Sequence, residues 1–263
     1  MLEYAFAERA LVAAVVVGLL CGLLGFFVIL RRLAFIGVGI SHSAVGGVAI
    51  GLMLGVDPGL SAAVFAVAVA LGMFQVARDR RLAEDAIIGV FLSGAMALGL
   101  LLMGMRHGYQ KDLFAYLFGS LLAVSSGDLL MLCALAGTLA MIVAVSFREM
   151  LFVAFDEEVA RAYGRRVDLM DALLIVVLAL TVVAGVRVVG VLLVEALLVV
   201  PAATAALWTL DFRRQVALSM TLGAASAATG LWCSFAFDVG AGAAIVLVAV
   251  TAFFASWLFR RGA

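Results

Sequence analysis

Nine apolar runs, each near the length that crosses a bilayer, constrain this chain more than any other feature. They cover residues 10–30, 33–55, 60–77, 86–105, 127–147, 171–186, 190–208, 215–235 and 240–259. A membrane-spanning α-helix needs roughly 20 such residues. The third and sixth runs are short. A further apolar piece, residues 113–124, is too short to cross and is expected to lie in the interface or fold back into the membrane. Of 263 residues 67% are hydrophobic and 13% charged, with mean hydropathy +1.28. No soluble core hides that much apolar surface, so the bilayer must be the solvent. Barrel strands would alternate apolar and polar residues, whereas these runs are continuous. The expected fold is all-α: a polytopic integral membrane helical bundle of about nine transmembrane helices, forming one domain over residues 1–263.

The basic residues set the orientation. With the N-terminus outside, 13 of the 17 Lys and Arg fall in inner loops, leaving Arg9, Arg106, Lys111 and Arg187 outside. That asymmetry predicts N-out/C-in, and an even number of spans would destroy it. The segment before the first run lacks a basic leader, and the run is too long for a signal peptide, so the first span is expected to be retained. A formal charge of +0 leaves no nucleic-acid footprint. Cys21, Cys133 and Cys233 share no ligand spacing and read as small hydrophobes. Gly47, Gly51 and Gly55 recur every four residues, as do Gly18 and Gly22. Such strips serve either close helix packing or a sliding, pore-lining surface.

The longest polar segment, residues 148–171, faces the cytoplasm in this orientation. Within it, Asp156 suits an N-cap, and Glu157 and Glu158 suit the positive helix end. Arg161, Arg165 and Arg166 suit the negative end, and Gly164 suits a left-handed stop. Val159, Ala160 and Tyr163 are expected to share one face. Such a short helix is either a docking knob for a soluble partner or a plain connector.

Two ionisable side chains fall inside apolar runs. Arg31-Arg32 closes the first run, and His42 follows roughly two and a half turns into the next. Glu195 is expected at mid-span within Val191–Pro201, six residues before the proline that kinks the same span. An ionisable residue at membrane depth costs on the order of 2.5–3.5 kcal/mol and usually marks an ion or substrate path. Arg187 is placed to pair with Asp238 or Glu195, whereas Asp57 and Asp112 read as solvated outer-loop acids. There is no Walker loop, His-Glu-x-x-His pair or serine elbow, so the chain reads as a non-enzyme, and any ATP must be handled by another subunit.

Four stretches taken together resemble the membrane permeases of ATP-binding-cassette importers for zinc, manganese and related metals. They are Val28–Phe35 through Ser41-His42-Ser43-Ala44, Asp112–Ser120, Phe155–Gly164, and Val189–Leu193 through Pro201–Ala205. The resemblance implies a permease homodimer in the bacterial plasma membrane, with a cytoplasmic ATP-binding subunit and an extracytoplasmic metal-binding protein. On that likeness Asp156, Glu157, Glu158, Val159, Ala160, Tyr163 and Gly164 form the segment that docks into the ATPase. The divalent metal is cargo, with His42 and Glu195 lining its path and no cofactor held by this chain.

The chain departs from the family pattern in two places. Val38 stands where the family has an aspartate sharing a helix face with its histidine, and Glu195 stands where the family has a small residue. Glu195 is therefore expected to replace the lost carboxylate opposite His42. Zinc, manganese and iron all remain open as cargo. So do a proton- or ion-coupled secondary transporter, for which inverted repeats are expected, and an intramembrane enzyme. A non-transporting scaffold leaves the two buried charges unexplained.

Overall fold

The structure, a computed structural model, describes residues 5–78, 82–105 and 124–261. These form helices only: α1 (Ala5–Leu30), α2 (Ile36–Leu54), α3 (Pro58–Ala77), α4 (Glu84–Gly104), α5 (Ser126–Phe155), α6 (Glu157–Ala162), α7 (Val167–Val189), α8 (Val191–Trp208), α9 (Phe212–Phe237) and α10 (Ala241–Arg261). Among the described residues, nine helices are long and apolar enough to cross a membrane, all but the six-residue α6. The short apolar piece lies outside the described residues over positions 113–123, as does the stretch Asp112–Ser120.

Local chemistry sets the helix ends. Asp57 caps α3 through its carboxylate, which accepts from Leu60 N at 2.8 Å, and Pro58 takes the first helical position where its missing N–H costs nothing. Asp211 caps α9 by accepting from the amides of Arg213 and Arg214. Gly55 ends α2 with φ 69°, so it stops the helix and does not extend the glycine strip. The sixth span is longer than the apolar run 171–186. Helix α7 takes in Asp168 in its first turn and Arg187 in its last, where each charge complements the helix dipole. Residues 148–171 are mostly helical, because α5 carries Arg148 and Glu149 well past the apolar run and α7 begins at Val167.

The chain divides into two compact units. The first contains α1, α5 up to Ile142, α8, α9 and α10. Here α1 lies along α9 with almost no side chain between them. A β-carbon on Gly18 would meet the Gly223 carbonyl oxygen at 2.6 Å, and Gly223 makes the reciprocal contact. One turn along, the Ser219 hydroxyl donates to the Gly22 carbonyl at 2.7 Å. Gly25 meets the Leu198 carbonyl of α8. Hydrophobicity does not drive helices together in lipid, so close packing and such interhelical bonds, about 0.6–2 kcal/mol each, hold this unit.

The second unit contains α2, α3, α4, α5 from Val143, α6, and α7 to Arg187. Its core repeats the same device. Gly47 of α2 rides on Ala62 of α3, with 2.7 Å between its ideal β-carbon and the Ala62 Cα. The Ser61 hydroxyl donates to the Gly47 carbonyl at 2.7 Å. Gly51 abuts Ser61, and Gly46 meets Gly99 of α4. The small-residue strips therefore act as packing surfaces within each unit.

Candidate functional site

Helix α2 starts at Ile36, so His42 sits about 9 Å along its axis, nearer its first turn than the apolar run suggests. The preceding junction is a tight turn: Arg31 N donates to Phe27 O, and Arg32 adopts φ 59°. The His42 ring is half-buried, with Nδ1 3.0 Å from the Val38 carbonyl oxygen. A carbonyl can only accept, so Nδ1 carries the proton, and in the neutral ring the lone pair is on Nε2. Ser41 Oγ lies 3.2 Å from the same Nδ1 and donates to the same carbonyl at 3.0 Å. Anchoring one ring nitrogen to a backbone carbonyl is how metal-ligating histidines are generally oriented. Val38, whose side chain offers no ligand atom, thus contributes its backbone carbonyl to the orientation of the ring.

Glu195 is not at mid-span. Gly190, with φ 89°, separates α7 from α8, and Glu195 falls in the second turn of α8, half-buried. Pro201 lies farther along α8, and one turn beyond it Thr204 Oγ1 donates to the Val200 carbonyl at 2.8 Å. His42 belongs to the second unit and Glu195 to the first. Arg187 lies beside Gly59 and Asp57: a β-carbon at Gly59 would be 2.7 Å from its Nη1 and 3.1 Å from the Asp57 carboxylate. Among the described residues, no three His, Cys, Asp or Glu side chains cluster as a metal cage.

The short helix α6 is built as its residues dictate. Asp156 Oδ1 accepts from Val159 N at 2.9 Å. At the other end Gly164 has φ 72°, its N–H bonds Arg161 O, and Arg165 N bonds Ala160 O, which together make a Schellman stop. The apolar residues divide between two sides. Ala160 is fully buried against Val153 and Val167, with Phe152 and Met170 beside them, and so anchors the helix. Val159 and Tyr163 point outward, 40% and 75% exposed, beside Phe155 at 64%. The Tyr163 ring leans edge-on against Phe152 at 6.2 Å. The expected shared face is therefore split, with Ala160 a root and Val159 and Tyr163 the presented surface.

A charge network that sequence reading missed surrounds this helix. Arg161 donates to Glu157 at 3.0 Å and to Asp168 Oδ1 at 3.2 Å. Arg78, the C-cap of α3, donates to Asp168 Oδ2 at 2.8 Å. Arg165 donates to Glu149 at 2.7 Å. The bonds from Glu157 and Asp168 hold the Arg161 guanidinium above its ordinary value. The local pair Glu157–Arg161 was readable as an i, i+4 spacing. Asp168 was visible as the acid following Arg165-Arg166, but nothing local says that it reaches Arg78.

These features define a polytopic helical membrane protein that presents a short, capped and anchored helix with exposed apolar side chains. The chain belongs to the ABC 3 transport family, whose model matches residues 3–260. It is similar to the manganese transport system membrane protein MntC of Listeria monocytogenes, at 39% identity, covering 98% of this chain and 92% of the relative. It is likewise similar to the manganese import system permease protein ScaB of Streptococcus gordonii, at 32% identity over 97% and 91%. Among solved structures, PsaBC from Streptococcus pneumoniae in complex with Fab matches with a TM-score of 0.86 at 35% identity, covering 97% of this chain and 92% of that one. The chain is thus a multi-pass permease of the bacterial plasma membrane, a transport subunit whose family works with a separate ATPase.

Proposed function

We propose that this chain forms the membrane pathway of an importer for a divalent transition metal, manganese above all. The similarity to manganese transport proteins along 98% of the chain carries this reading. In it the chain is oriented N-out/C-in, a second copy completes the pathway, and an extracytoplasmic metal-binding protein delivers the ion. A cytoplasmic ATP-binding subunit receives Phe155, Val159 and Tyr163, whose exposed apolar surface on a capped, anchored helix suits a groove in a soluble partner. ATP binding and hydrolysis there drive the rigid-body movements that alternate access.

His42 Nε2 and the Glu195 carboxylate act as transient ligands, because passage requires binding weak enough to release. An ion retaining part of its hydration needs few protein donors at a time. The Val38 side chain offers no oxygen, and this favours zinc as a second cargo, since imidazole suits zinc better than manganese. Uptake of radioactive manganese by cells carrying His42→Ala or Glu195→Gln tests the assignment. A loss of about tenfold or more is expected in each. Normal transport in both variants rejects these residues as path ligands, and competition by unlabelled zinc ranks the two metals.

A further inference from the structure

We propose that Asp168 is the joint through which movement of α6 reaches the helix that carries His42, an inference that rests on the docking role of α6 just given. Asp168 stands in the first turn of α7, and each of its carboxylate oxygens is engaged by an arginine from a different element. Oδ1 holds Arg161 of α6 at 3.2 Å, and Oδ2 holds Arg78 at the end of α3 at 2.8 Å. Arg161 is itself steadied by Glu157 at 3.0 Å. A displacement of α6 is thereby passed to the end of α3.

From there the link is mechanical. Along α3 the backbone touches α2 at Gly47 and Gly51, and Ser61 is bonded to the Gly47 carbonyl. Nearer to His42, Gly39 is closed by Met73 of α3, whose methyl lies 2.8 Å from the ideal β-carbon position. The backbone contacts of Gly47 with Ala62 and of Gly51 with Pro58 leave little slack, so α2 follows α3. Every member of the chain, from Glu157 through Arg161, Asp168, Arg78 and α3 to His42, lies in one compact unit. The apolar root of α6, Ala160 between Val153 and Val167, fastens it to α5 and α7. The Asp168 carboxylate adds a direct polar link from α6 to the end of α3.

Half-exposed ion pairs of this kind contribute little to stability. A joint therefore separates from a structural brace by what its removal changes. The test uses the full transporter, with its ATPase and a second permease copy, in proteoliposomes, comparing Asp168→Asn, Asp168→Glu and the native chain. In Asp168→Asn, manganese taken up per ATP hydrolysed is expected to fall about tenfold, a typical size for coupling between sites. ATPase retention and ATP hydrolysis should stay within about twofold, and the melting temperature within about 2 °C, as expected for an exposed pair. Asp168→Glu, which keeps the charge, should recover most of the coupling.

Uptake per ATP unchanged in Asp168→Asn, or lost only in proportion to folded protein or ATP turnover, overturns the joint. A parallel Val159→Asp/Tyr163→Ala variant separates this failure from that of the docking reading. If the ATPase stays bound to that variant at native affinity, docking through α6 is wrong and the joint falls with it. If the ATPase is released while Asp168→Asn remains fully coupled, only the joint is rejected.

Discussion

Replacing Gly22 by alanine tests whether backbone-to-backbone contact holds the first unit together. The new methyl would lie 2.7 Å from both Met220 Cα and the Ser219 carbonyl oxygen, whereas ordinary contact begins near 3.4 Å. Helices α1 and α9 must then part by roughly 0.7 Å. That strain costs about 1–3 kcal/mol in a packed interface. The same separation stretches the 2.7 Å bond from Ser219 to the Gly22 carbonyl beyond useful length, at a cost of about 0.6–1 kcal/mol. The better helix propensity of alanine returns up to about 1 kcal/mol, so the net loss is about 1–3 kcal/mol.

Gly137 on α5 is the matched control, because nothing lies within 4 Å of its ideal β-carbon. There alanine keeps only the propensity gain, up to about 1 kcal/mol. Thermal unfolding in detergent, followed by tryptophan fluorescence, reads the contrast. At about 2–4 °C per kcal/mol, Gly22→Ala should melt several degrees lower and Gly137→Ala a few degrees higher than the native chain. Melting shifts of the same sign and size in the two variants would refute the packing argument.

Two further substitutions address α6. Gly164→Ala forces a β-carbon into φ 72°, a left-handed geometry that costs roughly 1–2 kcal/mol, so amides of residues 160–165 should exchange hydrogen faster while the membrane helices stay protected. Tyr163→Ala removes the most exposed large side chain of the docking surface. Burying such a ring is worth about 2 kcal/mol, so affinity for the ATPase should drop roughly thirtyfold with little change in melting temperature.

Much of this architecture was legible because it is local. Asp156, Glu157 and Gly164 specify their helix through caps and backbone geometry that act within four residues, and the structure repeats them. The apolar runs placed the spans but not their ends. Asp168, Arg187, Arg148 and Glu149 read as loop residues, although a charge costs little in the terminal turns of a helix or beyond the hydrocarbon. Gly55 fitted a four-residue repeat, yet its positive φ makes it a stop. Glu195 read as central until the break at Gly190 put it near a helix start.

Pairings across sequence were the least legible. Arg78 and Asp168 lie 90 positions apart, and no periodicity connects them. Similarly, the division of α6 into a buried Ala160 and a presented Tyr163 depends on where Val153 and Val167 lie, which a six-residue pattern does not contain.

The most direct test is coupled transport by the assembly as isolated from native membranes. The chain is purified gently, its companions are identified, and the assembly is reconstituted with the extracytoplasmic binding protein. Manganese entry that requires ATP on the side of α6, and that ceases when the ATPase is stripped away, is the expected result. An assembly with no ATP-hydrolysing companion, or uptake that runs on a proton gradient alone, would contradict it.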